Sequence, residues 1–170
     1  MVSRRQRPWL DRRRDGTVRV RIDDDIRQAI MTLLDELREL LLAGTHEGLR
    51  RLYPTAYPHD QQLERGYSEL VHDSLLARRL EQIEAMEATL GQSTLDDEAL
   101  SAWMHAVNSL RLVLGTVLDV SESDDLLAAD DPQARQYALY YLLGLLLEQI
   151  VELLFDTVPE EGTEGDDVLL

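Results

Sequence analysis

Ala102-Trp103-Met104-His105-Ala106-Val107-Asn108-Ser109-Leu110-Arg111-Leu112-Val113-Leu114-Gly115 is the stretch on which the fold turns. Leu100, Trp103, Val107, Leu110, Leu114 and Val117 recur at 3-4-3-4-3 spacing, the period of a helix with one buried face. Thr94 with Asp97 resembles a capping box, which predicts a helix from about residue 95 to about residue 119. Asn108 and Arg111 stand one turn apart inside this apolar run, with Ser101 and His105 on the same polar strip. A helix apolar over most of its circumference belongs in the middle of a packed layer.

A second helix of this kind closes the chain. Asp131-Pro132 suits an N-cap and first helical position, and Tyr140, Leu143, Leu147, Ile150 and Leu154 form its stripe to about residue 156. Upstream, Asp23-Asp24-Asp25 supplies a cap and favourable charge for a first helix, which Gly44 ends. Its stripe is Ile26, Ile30, Leu33, Leu37 and Leu40. After a turn near residues 47–52, the two prolines of Tyr53-Pro54-Thr55-Ala56-Tyr57-Pro58 bar regular helix. Two further helices are expected, about 60–71 and, capped by Asp73, on to Leu90 with Gly91 as its stop. A short helical turn is expected from Ser121.

Thr17-Val18-Arg19-Val20-Arg21-Ile22 alternates with the strand period. One strand cannot stand alone, so it must pair with another strand, with a second copy, or lie across helices. The expectation is a mostly α, single-domain helical bundle with a short N-terminal β-strand. Residues 1–16 form a basic flexible arm, 17–157 the helical domain and 158–170 a disordered acidic tail. The surplus apolar surface of the last two helices serves either a core or a homodimer interface.

The chain has 170 residues, no Cys and a net charge of −16. Disulfides, thiolate metal sites and nucleophilic Cys are thereby excluded, which suits a cytoplasmic setting. Residues 1–22 hold eight Arg against two Asp, whereas residues 23–170 hold nine Arg against 31 acids. The acidic body repels nucleic acid, so a phosphate contact falls to the arm: Arg4, Arg5, Arg7, Arg12, Arg13 and Arg14, with Trp9 to stack. The competing reading folds that arm back on the acidic body. No signal peptide is legible, and the apolar run 138–147 is shorter than the roughly 20 residues of a membrane span.

Candidate chemistry is sparse. Arg111 and Asn108 read as a structural or partner-binding polar cluster with Trp103, and Glu148 and Glu152 are the natural ion partners of Arg111. Removing one member of such a buried pair costs roughly 3–5 kcal/mol. Glu69 and His72 have the Glu-x-x-His spacing of helical di-metal sites, but no second copy exists, so no metal and no cofactor are expected. Glu81, Glu84 and Glu87 read as a solvated helix face. Gly-rich phosphate loops, Gly-x-Ser-x-Gly elbows and Ser-His-Asp orders are not legible, so an enzyme is not expected.

Three segments together resemble the actinobacterial AosR family, oxidative-stress transcriptional regulators that were long only a domain of unknown function. They are Leu52-Tyr53-Pro54 to Tyr57-Pro58 with Asp60 and Glu69-Leu70; Trp103 with Val107 to Gly115; and Tyr137 to Tyr141 leading to Leu147-Glu148. The likeness runs from about residue 18 to residue 155, and its Trp-to-Gly segment is the most specific. It implies a cytoplasmic, non-enzymatic, mostly helical regulator that contacts a sigma factor or RNA polymerase. A thiol-based sensor is ruled out by the lack of Cys, which leaves Met1, Met31, Met86 and Met104 as oxidisable side chains. The alternative is a structural homodimer or adaptor with no transcriptional role.

Overall fold

The computed structural model describes residues 8–120 and 131–155. Arg4, Arg5 and Arg7, the turn expected from Ser121 and the acidic tail lie outside the described residues. Within them the chain is mostly helical, as the apolar periodicity predicts. Strands β1 (Leu10–Arg12) and β2 (Val18–Val20) precede helix α1 (Asp24–Ala43) and a 3-10 turn (Glu47–Arg51). Helix α2 (Gln61–Leu90), strand β3 (Thr94–Leu95), helix α3 (Asp97–Val117) and helix α4 (Ala134–Phe155) follow.

The alternating segment finds its partners within the chain. β2 lies between β1 and β3, antiparallel to both, with Leu10 opposite Val20 and Val18 opposite Leu95. Residues 10–20 therefore form a β-hairpin, which takes in the end of the basic segment. Gly16 supplies the positive φ of 84° at the turn, and the Asp15 carboxylate accepts from the Thr17 N–H (3.0 Å) and hydroxyl (2.6 Å). Those bonds to Thr17 hold the Asp15 carboxyl below its usual range. Leu10, Val18, Val20 and Leu95 turn one apolar face of this sheet into the core.

Strand pairing also moves a helix cap. Thr94 is held in β3 opposite Arg19, so the capping box with Asp97 does not form, and Asp96 caps α3 by accepting from the Ala99 N–H at 2.8 Å. α2 is a single helix of 30 residues where two were expected. Asp73 sits inside it, and the Ser74 hydroxyl bonds back to the Val71 carbonyl (2.9 Å) without interrupting the ladder. Its true cap is Asp60, which accepts from the N–H groups of Gln62 and Leu63, both at 3.0 Å. Asp23 stands at the N-cap of α1 but makes no side-chain cap bond, while Gly44 ends that helix in the left-handed conformation at φ 70°.

α3 is the central element, packed against α2, α4 and the 3-10 turn. Leu100, Trp103, Val107 and Leu110 of the expected stripe are buried, but Val117 is exposed and Ala106, Ser109 and Val113 take core places. In α1 the buried line is Ile30, Leu34, Leu37 and Leu41, with Ile26, Leu33 and Leu40 at its margin. α4 seats Leu143, Leu146, Ile150 and Leu153 in the core. By length and composition α4 is apolar enough to cross a membrane, although the uninterrupted run 138–147 alone is too short. One face of it nevertheless closes the bundle, and its opposite face carries Glu148 and Glu152.

Candidate functional site

Two groups of polar residues meet around α3. The first lies where the Tyr-Pro segment returns to the bundle. Arg79 of α2 donates to the Leu52 carbonyl at 2.7 Å and to the Ser109 hydroxyl of α3 at 3.2 Å. Its guanidinium lies 5.6 Å from the centroid of the Tyr53 ring, and the His72 ring lies against Tyr53 at a centroid distance of 4.7 Å. Burial raises the Tyr53 hydroxyl above its usual range, and the Arg79 charge partly offsets this. Neither Arg79 nor Ser109 is singled out by sequence reasoning. The signal was Ser109, a polar position inside the apolar stripe that needs a donor or acceptor once buried.

The loop itself is clamped from α2. The Glu64 carboxylate accepts from the backbone N–H groups of Ala56 (2.9 Å) and Tyr57 (2.7 Å), and Tyr57 meets Tyr67 edge-on at 5.8 Å. Between loop and helix lies an open pocket of about 290 Å³, lined by Tyr53, Glu64, Tyr67, His72 and Arg79 among others. Beside it Tyr57, Leu63, Tyr67 and Leu70 are exposed, Leu70 to 83%. Leu63, Tyr67 and Leu70 follow one another at 4-3 spacing and so share a helix face. His72 stacks on Tyr53 while Glu69 is exposed, and no group of three or more metal-binding side chains gathers among the described residues.

The second group is the expected polar cluster, and the structure divides it. Trp103 is fully buried and donates from Nε1 to the Thr89 hydroxyl at 2.8 Å, which makes it a core residue. Arg111 does not pair with Glu148 or Glu152. Its guanidinium instead stacks on Tyr140, 4.9 Å from the ring centroid, and crosses α4 at Gly144. A Cβ at Gly144 would stand 3.2 Å from the Arg111 Nε, so the missing side chain is what opens this slot. That Nε is buried without a hydrogen-bond partner, and Arg111 makes no ion pair among the described residues. The Tyr140 ring and the slot hold the cation, while Glu148, Glu152 and Asn108 face solvent. Gly115 repeats the device one turn along: a Cβ there would meet Tyr140 at 3.0 Å and Arg51 at 3.6 Å.

The described part of the basic segment is largely engaged with the protein's own groups. Arg12 donates to Asp97 at 2.6 Å, to the Gly16 carbonyl and to the Leu153 carbonyl at 2.8 Å, joining β1 to the start of α3 and the end of α4. Arg21 pairs with Asp11 at 2.9 Å, and Arg13 reaches Asp15 at 3.9 Å. Arg14 is exposed. Of the glutamates expected on a solvated face, Glu87 is claimed by Arg38 of α1, which it holds above the usual arginine range, whereas Glu81 and Glu84 are exposed.

The family described as "Domain of unknown function (DUF2017)" matches residues 6–154. The chain belongs to that family. Its match takes in the hairpin, α1 to α3, α4 up to Leu154, the Tyr-Pro loop and the Arg111–Tyr140 stack. Comparison with curated proteins and with solved structures yields no match.

Proposed function

We propose that this family member is a non-enzymatic regulator that works by contact with a protein of the transcription machinery, a sigma factor or an RNA polymerase subunit. The observation that carries the reading is the exposed apolar stripe Tyr57, Leu63, Tyr67 and Leu70. It sits on the Tyr-Pro loop and the first half of α2, the segments whose sequence resembles the AosR regulators. Contiguous exposed aromatic and aliphatic side chains flanked by charges are the composition of protein-binding surfaces. The setting is cytoplasmic, and any response to oxidant runs through Met, since the chain has no Cys. Contact with DNA, if made, uses Arg13 and Arg14 together with Arg4, Arg5 and Arg7, because Arg12 is bound to Asp97.

Capture of the tagged protein from its host, followed by binding assays with the purified partner, tests the reading. Stoichiometric recovery of a sigma factor or polymerase subunit, lost in a Leu70→Glu variant of unchanged helicity, is the expected result. Recovery of nothing from that machinery overturns it and favours a structural adaptor. Duplex binding at low salt that is unaltered by deleting residues 1–16 removes the DNA clause.

A further inference from the structure

The outer face of α4 is exposed along the length of the helix. Ala138, Tyr141, Leu145, Glu148, Glu152 and Phe155 are all exposed and recur at 3-4-3-4-3 spacing, the seam of a helix–helix contact. Leu145 is 54% and Phe155 72% exposed, and the helix is about 33 Å long at 1.5 Å per residue. A carboxylate in an apolar seam is costly to bury unless it meets a cation, and Glu148 lies nearer the middle of this seam than Glu152. Arg111 lies in the Gly144 slot on the flank of the same seam and makes no ion pair among the described residues.

Those charges are complementary under one symmetry operation. A two-fold axis near Leu145, perpendicular to the helix, packs α4 antiparallel against its copy. Positions equally far before and after residue 145 then face each other. Gly144, where Arg111 crosses, and Tyr140 stand before the axis, while Glu148 stands one turn after Gly144, displaced toward the same flank. Each Arg111 thereby meets the partner's Glu148, with Tyr141 beside that carboxylate and Ala138 opposite the partner's Glu152. The contact is isologous, so both ion pairs form at once.

We infer that the protein is a homodimer through α4, joined by Leu145 against Leu145 and by reciprocal Arg111–Glu148 ion pairs. The surface is distinct from the α2 stripe, so it stands whether or not that stripe binds a regulator's target. Sedimentation equilibrium of the full chain at micromolar concentration should give twice the 19.4 kDa of the monomer. Glu148→Arg, at an exposed position that leaves helicity intact, should raise the dimer dissociation constant about tenfold or more. Adding Arg111→Glu should restore most of the affinity by exchanging the charges. The chain has no Cys, so Leu145→Cys should oxidise to a covalent dimer, and Leu70→Cys on α2 should not. A monomeric wild type, an unchanged dissociation constant in Glu148→Arg, or crosslinking at residue 70 in place of 145 overturns the proposal. If Arg111→Glu unfolds the protein, the Glu148→Arg and Leu145→Cys measurements decide it alone.

Discussion

Thr89→Val tests the reading of the core most directly. The Trp103 ring is wholly excluded from solvent, and its Nε1–H has one partner, the Thr89 hydroxyl at 2.8 Å. That hydroxyl in turn donates to the Ala85 carbonyl at 2.8 Å, which fixes its lone pairs toward the indole. Valine matches threonine in shape but leaves the buried indole N–H unsatisfied, a loss of about 1–3 kcal/mol. In a Trp103→Phe background there is no N–H to orphan, so the same substitution should cost no more than about 0.5 kcal/mol. Trp103→Phe alone should itself cost about 1–3 kcal/mol through lost packing. Coupling between the two sites is therefore expected at about 1–2 kcal/mol. Urea unfolding followed by far-ultraviolet circular dichroism measures it, provided the slope m is common to all four proteins. Equal costs of Thr89→Val in the two backgrounds would refute the hydrogen bond as a source of stability.

Three further outcomes are expected. Arg12→Ala should lower stability by about 1–2 kcal/mol, because the bond to the Leu153 carbonyl is lost along with a partly exposed pair to Asp97; urea midpoints that match the wild type would contradict this. Gly115→Val should cost about 1–3 kcal/mol, since even its Cβ meets Tyr140 at 3.0 Å, whereas Gly91→Ala, in open space at φ −81°, should be neutral or stabilising by under about 1 kcal/mol; thermal melts of the two variants check the contrast. The raised Tyr53 hydroxyl favours the folded state below the tyrosine range of about pH 10, and this contribution is lost as pH rises through its folded value. Stability should therefore fall above about pH 10, with Tyr53→Phe abolishing that part of the slope in urea titrations.

The fold class and most helix bounds were legible in the sequence, because a 3.6-residue apolar period and Pro, Gly and Asp punctuation act through neighbouring residues. Leu100, Trp103 and Leu110 of α3, Gly44 after α1 and the bar to helix at Pro54 and Pro58 all follow from such short-range physics. The strand at residues 18–20 was legible too, but not its neighbours. β1 is buried in an arginine-rich context and β3 has two residues, so neither has a pattern of its own.

Partner choice depended on tertiary structure. Arg111 had two glutamates within reach by spacing along α4, yet the space left by Gly144 and the Tyr140 ring draw it across the helix instead. Asp96 capped α3 only because β2 had already claimed Thr94, and Arg79 became a clamp only when Ser109 and Leu52 arrived beside it. Periodicity determines which face of a helix is apolar, since it is set by residues a turn apart. Which side chain a buried polar group meets depends on elements distant in sequence, and only the assembled fold brings them to hydrogen-bonding distance.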